Sequence, residues 1–135
     1  MGPVPVRESL EIASLSHLAP IPVATRVGPL VTCSITAPFN PGTRTCPPSP
    51  TEQVVNLFTH VGNMLRAAGA DWSAVAKMTF YAPDTATVMP AINDEWTKHF
   101  PDPRSRPSRH CMVVPPDGSD VLVCCDFIAY IQGRI

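Results

Sequence analysis

Hydrophobic residues recur along this chain with two different periods, and the switches between them outline its elements. Residues 21–27 and 30–36 are rich in strand-forming types and are separated by Gly28-Pro29, which predicts a hairpin. A loop over 37–48 follows, with Asn40-Pro41-Gly42 as its turn. Ser49-Pro50-Thr51-Glu52 then supplies an N-cap serine, a proline at the first helical position and a glutamate placed for a capping box. Val54, Leu57, Phe58, Val61, Leu65 and Ala68 continue at helical spacing, and Gly69 ends the helix. Gln53, Asn56, His60 and Asn63 occupy its remaining faces and read as a solvated polar surface.

Residues 75–81 predict a strand and 88–100 a second helix, with Val88, Met89, Ile92, Trp96 and Phe100 as its apolar stripe. Asp84 and Thr87 are both candidate caps, and Thr87 is the expected one, because Pro90 is tolerated only in a first turn. Asn93 lies one position past the stripe. Residues 111–114 and 121–131 predict two strands joined by Pro115-Pro116-Asp117-Gly118. Parity divides the last of them. Val121, Val123, Cys125, Phe127 and Ala129 point toward the helices, and Leu122, Cys124, Asp126, Ile128 and Tyr130 point away.

The order β-β-α-β-α-β-β describes an α+β domain, two helices on one face of a mixed sheet. It fills residues 19–135, and 1–18 form an N-terminal extension that is an extra strand, an interface arm or a loose tail. The uncovered sheet face keeps Leu122, Ile128 and Tyr130, which predicts burial against further copies, with any pocket between subunits.

Composition narrows the partners. A formal charge of −1 and a charged fraction of 16% give no footprint for nucleic acid or an anionic membrane. No apolar run reaches the roughly 20 residues of a membrane span, and the N-terminal residues lack the order of a signal peptide. Five cysteines, two of them adjacent, fit reduced thiols in the cytoplasm better than a disulfide framework. No C-x-x-C and no helical His pair supplies a metal site, so no metal is expected.

Pro107-Ser108-Arg109-His110-Cys111 sets a guanidinium at the mouth of a strand beside a rigid proline. Such a fork fits a carboxylate in bidentate fashion. Alone, the segment favours reading Arg109 as a surface residue of a basic loop with Arg104 and Arg106.

Several segments together carry a resemblance. They are the Asn40-Pro41 loop, Glu52-Gln53, Leu65-Arg66-Ala67-Ala68-Gly69-Ala70, Val75-Ala76-Lys77-Met78-Thr79-Phe80-Tyr81, Ile92-Asn93-Asp94-Glu95-Trp96, Pro107 to Cys111, and Asp126-Phe127-Ile128-Ala129. In order and spacing, from about residue 20 to 130, the chain resembles the reactive intermediate deaminase (RidA, YjgF-like) family. That resemblance implies a chorismate-mutase-like fold, a homotrimer and clefts at subunit interfaces. It also implies hydrolysis of enamines and imines of amino acids (2-aminoacrylate or 2-aminomuconate type) to a keto acid and ammonia, without cofactor or metal. Arg109 matches the family arginine that holds the substrate carboxylate, and Asn93 matches a position bordering that cleft. Strand backbone near Cys33 and Cys111 would complete the cradle.

The departures are as informative. Cys124 stands where typical members carry the glutamate that orients the attacking water, Ile21 where they carry a tyrosine, and Cys33 where they carry a serine. Asp126 aligns with the other acid of the last strand and shares a face with Cys124. The resemblance therefore implies a kept carboxylate-binding half and an altered hydrolytic half, in which Cys124 or Asp126 handles the proton or the water. A thiol near its usual pKa of about 8.5 is a poor base at neutral pH, though an adjacent Arg109 would lower it. The alternatives are that Cys124 is a small buried hydrophobe, that the chain is a non-catalytic sensor of small carboxylates, or that it is a variant lyase, isomerase or cyclase. The family's older label, ribonuclease, finds neither a basic groove nor a His pair here.

Overall fold

A computed structural model describes residues 6–132. Its strands are β1 (Arg7–Leu10), β2 (Ala24–Val27), β3 (Leu30–Cys33), β4 (Val75–Ala82), β5 (Ser108–Val113) and β6 (Cys124–Tyr130), with helices α1 (Pro50–Ala67) and α2 (Thr85–His99). They form one sheet in the order β1-β2-β3-β6-β4-β5, in which only β4 and β5 run parallel. Both helices cover the same face, as expected for this α+β class. Residues Arg7–Leu10, inside the segment read as an extension, pair antiparallel with β2 and lengthen the sheet by one strand.

Local chemistry explains the boundaries. Gly28 turns the β2–β3 hairpin with φ +57°, a left-handed conformation that suits glycine. Ser49 Oγ accepts the Glu52 N–H at 3.3 Å and starts α1 at Pro50. The helix closes in a Schellman motif: Gly69 has φ +78°, its N–H donates to Arg66 O, and the Ala70 N–H donates to Leu65 O.

The second helix departs from expectation. Asp84, not Thr87, is the cap, its carboxylate accepting the Thr87 N–H and hydroxyl. The helix therefore begins at Thr85 and carries Pro90 in its second turn. A capping carboxylate followed by tertiary burial of Val88, Ala91, Ile92 and Trp96 outweighs the backbone hydrogen bond that Pro90 deletes. Residues 121–123 depart too, lying outside the ladder, which begins at Cys124. Leu122, expected on the open face, instead packs against the core, and its N–H donates to Gln53 Oε1 at 2.8 Å.

Parity along β6 is otherwise as the sequence implies. Cys125, Phe127 and Ala129 are buried under the helices, while Ile128 and Tyr130 face outward. That outer face exposes Leu30 (41%), Met112 (48%), Ile128 (44%) and Tyr130 (56%), a lateral apolar surface on strands β3, β5 and β6.

The polar side of α1 is the largest surprise. Gln53 and His60 are fully buried rather than solvated. Gln53 Nε2 donates to Pro47 O and Asp120 O, tying the loop before α1 to the loop before β6. Asn56 donates to Pro38 O and Asn40 Oδ1. His60 Nε2 lies 2.7 Å from Phe39 O and must donate there, which leaves Nδ1 to accept the Ser14 hydroxyl at 2.9 Å. Asn63 in turn donates to Ser14 Oγ. Burial pushes the His60 pKa down, consistent with a neutral ring in this arrangement. A stripe read as surface is the clamp that holds three irregular segments on the domain.

Candidate functional site

Strand β5 is an edge strand, and its register decides where Arg109 goes. Arg109 pairs with Met78 and Cys111 with Phe80, both core residues, so the two side chains lie on the helix side of the sheet at its margin. The guanidinium of Arg109 sits 5.0 Å above the Trp96 ring and its Nη2 donates to Met89 Sδ at 3.7 Å. The aromatic face attracts the cation and the soft sulfur makes a weak acceptor, so both orient the fork and leave most of its donors open. Among the described residues, no ion pair engages Arg109. Asn93 is exposed on α2, four residues after Met89 and three before Trp96. That spacing brings it to the same side of the helix as the Arg109 contacts. Burial raises the Cys111 thiol pKa, with Arg109 opposing the shift.

Cys124 and Asp126 occupy a different region. Cys124 pairs with Tyr81 and Asp126 with Thr79, on the face turned away from the helices. Tyr81 Oη donates to Asp126 Oδ2 at 2.7 Å. Cys33 lies close by, where β3 leaves the ladder. Its sulfur accepts the Phe127 N–H at 3.3 Å, filling a gap in the strand pairing, and stands 3.9 Å from Thr36 Oγ1. Ile21 is exposed ahead of β2, and the next residue, Pro22, accepts the Ser34 hydroxyl through its carbonyl.

Electrostatics separates the thiols from the arginine. Burial, reinforced by Cys46 and Asp117, pushes the Cys124 pKa up to about 11, and burial pushes Cys33 up to about 12. The sequence-based expectation that Arg109 lowers the Cys124 pKa does not hold within one chain. Arg109 sits at the Met78 rung and Cys124 at the Tyr81 rung, three residues along β4, with β4 between them. Three steps of about 3.3 Å and two strand spacings of about 4.8 Å separate the backbones by roughly 14 Å, with the side chains on opposite faces.

One chain thus gathers the sequence-derived residues into two groups. Arg109, Cys111 and Asn93 lie at the β5–α2 margin, and Cys124, Asp126 and Cys33 lie around β6. Tyr81 belongs to the second group and was missed. Its parity on β4 was readable, but its partner depends on a register that no local pattern reveals. Beside Cys124 is a cavity of about 270 Å³ whose wall includes Ile35, Tyr81, Val114, Val121 and Val123. Among the described residues no cluster of His, Cys, Asp or Glu is arranged to hold a metal ion, and no helix is long and apolar enough to cross a membrane.

Comparisons with known proteins agree with this architecture. No curated protein sequence matches the chain. Among solved structures it is similar to a putative endoribonuclease from Thermotoga maritima, with TM-score 0.83 and 21% identity over 93% of this chain and 98% of that one. It is also similar to E. coli TdcF with bound serine, with TM-score 0.80 and 22% identity over 93% and 99% of the two chains. RidA from an Antarctic Psychrobacter gives TM-score 0.82 and 20% identity over 92% and 99%. At these identities the likeness establishes the fold. The family model described as Endoribonuclease L-PSP matches residues 11–131, spanning the hairpin, both helices and the strands that carry Arg109 and Asp126. On that match the chain belongs to the Endoribonuclease L-PSP family, the family of the RidA and YjgF proteins.

Proposed function

We propose that this protein is a RidA-like deaminase that hydrolyses the C=N bond of a small unsaturated amino or imino acid, giving a keto acid and ammonia. The observation that carries the reading is Arg109, whose guanidinium is oriented by Trp96 and Met89 and has no acidic partner among the described residues. A half-buried, pre-oriented fork with free donors is built for a carboxylate. Asn93 borders it, and the strand backbone at Cys111 continues the cradle. The serine in E. coli TdcF supports a ligand of amino-acid size.

The chemistry half lies about 14 Å away on the same chain. A complete site therefore takes Arg109 from one copy and the β6 group from another. The exposed apolar side chains Leu30, Met112, Ile128 and Tyr130 support self-association, and we assign a homotrimer acting in the cytoplasm. Ile21 and Cys33 contribute shape rather than charge to the wall of the site.

A second reading, a non-catalytic trimer that binds small carboxylates, is favoured by the protonated state of Cys124. With its pKa at about 11 the thiol is neither base nor nucleophile at neutral pH, which also counts against a lyase, isomerase or cyclase step through it. The two readings separate in one assay. 2-Aminoacrylate or 2-aminomuconate is generated in situ, and ammonia and keto acid are followed with the wild type and Arg109→Ala. Turnover lost in Arg109→Ala supports the deaminase. Unchanged turnover in that variant sinks the carboxylate anchor, and a silent wild type that still binds carboxylates through Arg109 establishes the binder.

A further inference from the structure

Water activation requires a group that takes a proton, and the neutral thiol of Cys124 does not supply one. Its neighbour across the ladder does. Tyr81 shares a rung with Cys124 and lines the same cavity, while its hydroxyl is committed to Asp126 Oδ2 at 2.7 Å. Asp126 itself does not line that cavity. A phenol that donates one hydrogen bond keeps acceptor lone pairs free. We propose that Tyr81 and Asp126 form a proton relay for the site, Tyr81 touching the reacting water and Asp126 storing its proton. The proposal rests on the deaminase reading above and names the groups that perform its hydrolytic step.

The step balances without any oxidant or reductant. A water on the cavity side of Tyr81 Oη gives up a proton to that oxygen as the phenol proton moves to Asp126. The hydroxide bonds to the carbon of the protonated imine, and the C=N electron pair goes to nitrogen. The resulting carbinolamine receives the stored proton back through Tyr81 onto nitrogen. The C–N bond then breaks, ammonia leaves, and the hydroxyl proton passes to it, so iminium and water become ketone and ammonium. The phenol stays protonated throughout the resting state, because hydrogen bonding to Asp126, with burial added, holds its pKa up at about 12. Phenolate is therefore not the base, and the carboxylate is the proton's destination. Ile35, Val114, Val121 and Val123 give the cavity a largely apolar wall beside the Tyr81 ring.

The test uses the full-length protein with 2-aminoacrylate generated in situ, separating kcat from KM for the wild type, Tyr81→Phe, Asp126→Asn and the double variant. Tyr81→Phe keeps the ring and removes only the hydroxyl, so folding, followed by thermal melting, is preserved. The relay predicts a fall in kcat of about 100-fold in each single variant with KM within about twofold. It predicts no further loss in the double variant, because the two groups act as one unit. A Tyr81→Phe protein that keeps more than about half of kcat, that loses only in KM, or whose loss multiplies with that of Asp126→Asn, overturns the relay. If the wild type turns nothing over, the deaminase reading falls and the relay falls with it. If the wild type is active and Tyr81→Phe is unimpaired, the relay alone falls.

Discussion

The two halves of the candidate site are built on opposite principles. At the β5–α2 margin, Arg109 is held by a ring face and a thioether, contacts that orient a charge without neutralising it. Around β6, the polar groups engage one another or are masked: Tyr81 donates to Asp126, Cys33 accepts the Phe127 N–H, and burial keeps Cys124 protonated. The first region presents a charge unpaired among the described residues, and the second holds its acid in an internal hydrogen bond. That contrast fits the proposed reading, in which Arg109 binds a carboxylate while Cys124 supplies no charge. Under the proposed reading, binding needs one free guanidinium, whereas hydrolysis needs a proton acceptor, the role proposed for the Tyr81–Asp126 pair.

Breaking the open half has the largest expected effect. Arg109→Ala removes charge-assisted hydrogen bonds to the substrate and lowers kcat/KM by about 1000-fold, and Arg109→Lys restores only part because a point charge lacks the fork. Steady-state kinetics on the in situ substrate reads both.

Next comes the scaffold that carries both halves. Gln53→Ala leaves Pro47 O, Asp120 O and the Leu122 N–H without their shared partner, directly upstream of Cys124. A loss of about 3 kcal/mol is expected from one buried polar side chain with three bonds, measured by urea unfolding. The same variant loosens the cavity beside Cys124 and so lowers activity more than it lowers carboxylate affinity.

A smaller effect follows from His60. Its folded pKa is depressed by burial, so the unfolded chain binds the proton more readily. The stability it contributes is therefore present above the unfolded value, about 6.5, and is lost as pH falls through the folded value. Unfolding free energy measured between pH 7 and pH 5 should fall with acidification, and His60→Gln should flatten part of that slope.

The smallest effect is reserved for Cys124. Cys124→Ala changes kcat by less than about threefold and stability by about 1 kcal/mol, since the residue contributes packing and no charge. A loss as large as that of Tyr81→Phe would move the chemistry back to the thiol. Cys124→Glu, which restores a carboxylate at the cavity, should raise turnover.

These regions were not equally legible in the sequence. The hairpin, both helices and the two faces of β6 follow from periods of two and 3.6 and from the Ser49 and Gly69 signals, because local sterics and burial set them. The start of α2 was misplaced because Asp84 competes with Thr87 as cap and packing tolerates Pro90. The polar face of α1 was read as solvent because nothing in Gln53 or His60 says that loops from residues 14, 39 and 120 fold over them. Arg109 is singled out as a candidate by its motif. Tyr81 is not, since its meaning lies in a partner 45 residues away across a strand register.

The most direct measurement is subunit complementation. Arg109→Ala and Asp126→Asn, each expected to keep about 1% of activity or less alone, are unfolded together, refolded as a mixture and assayed. In randomly mixed trimers, sites that pair Arg109 of one copy with Asp126 of the next leave about a quarter intact, so about a quarter of wild-type activity returns. A mixture no more active than the sum of its two parents would contradict a site shared between copies.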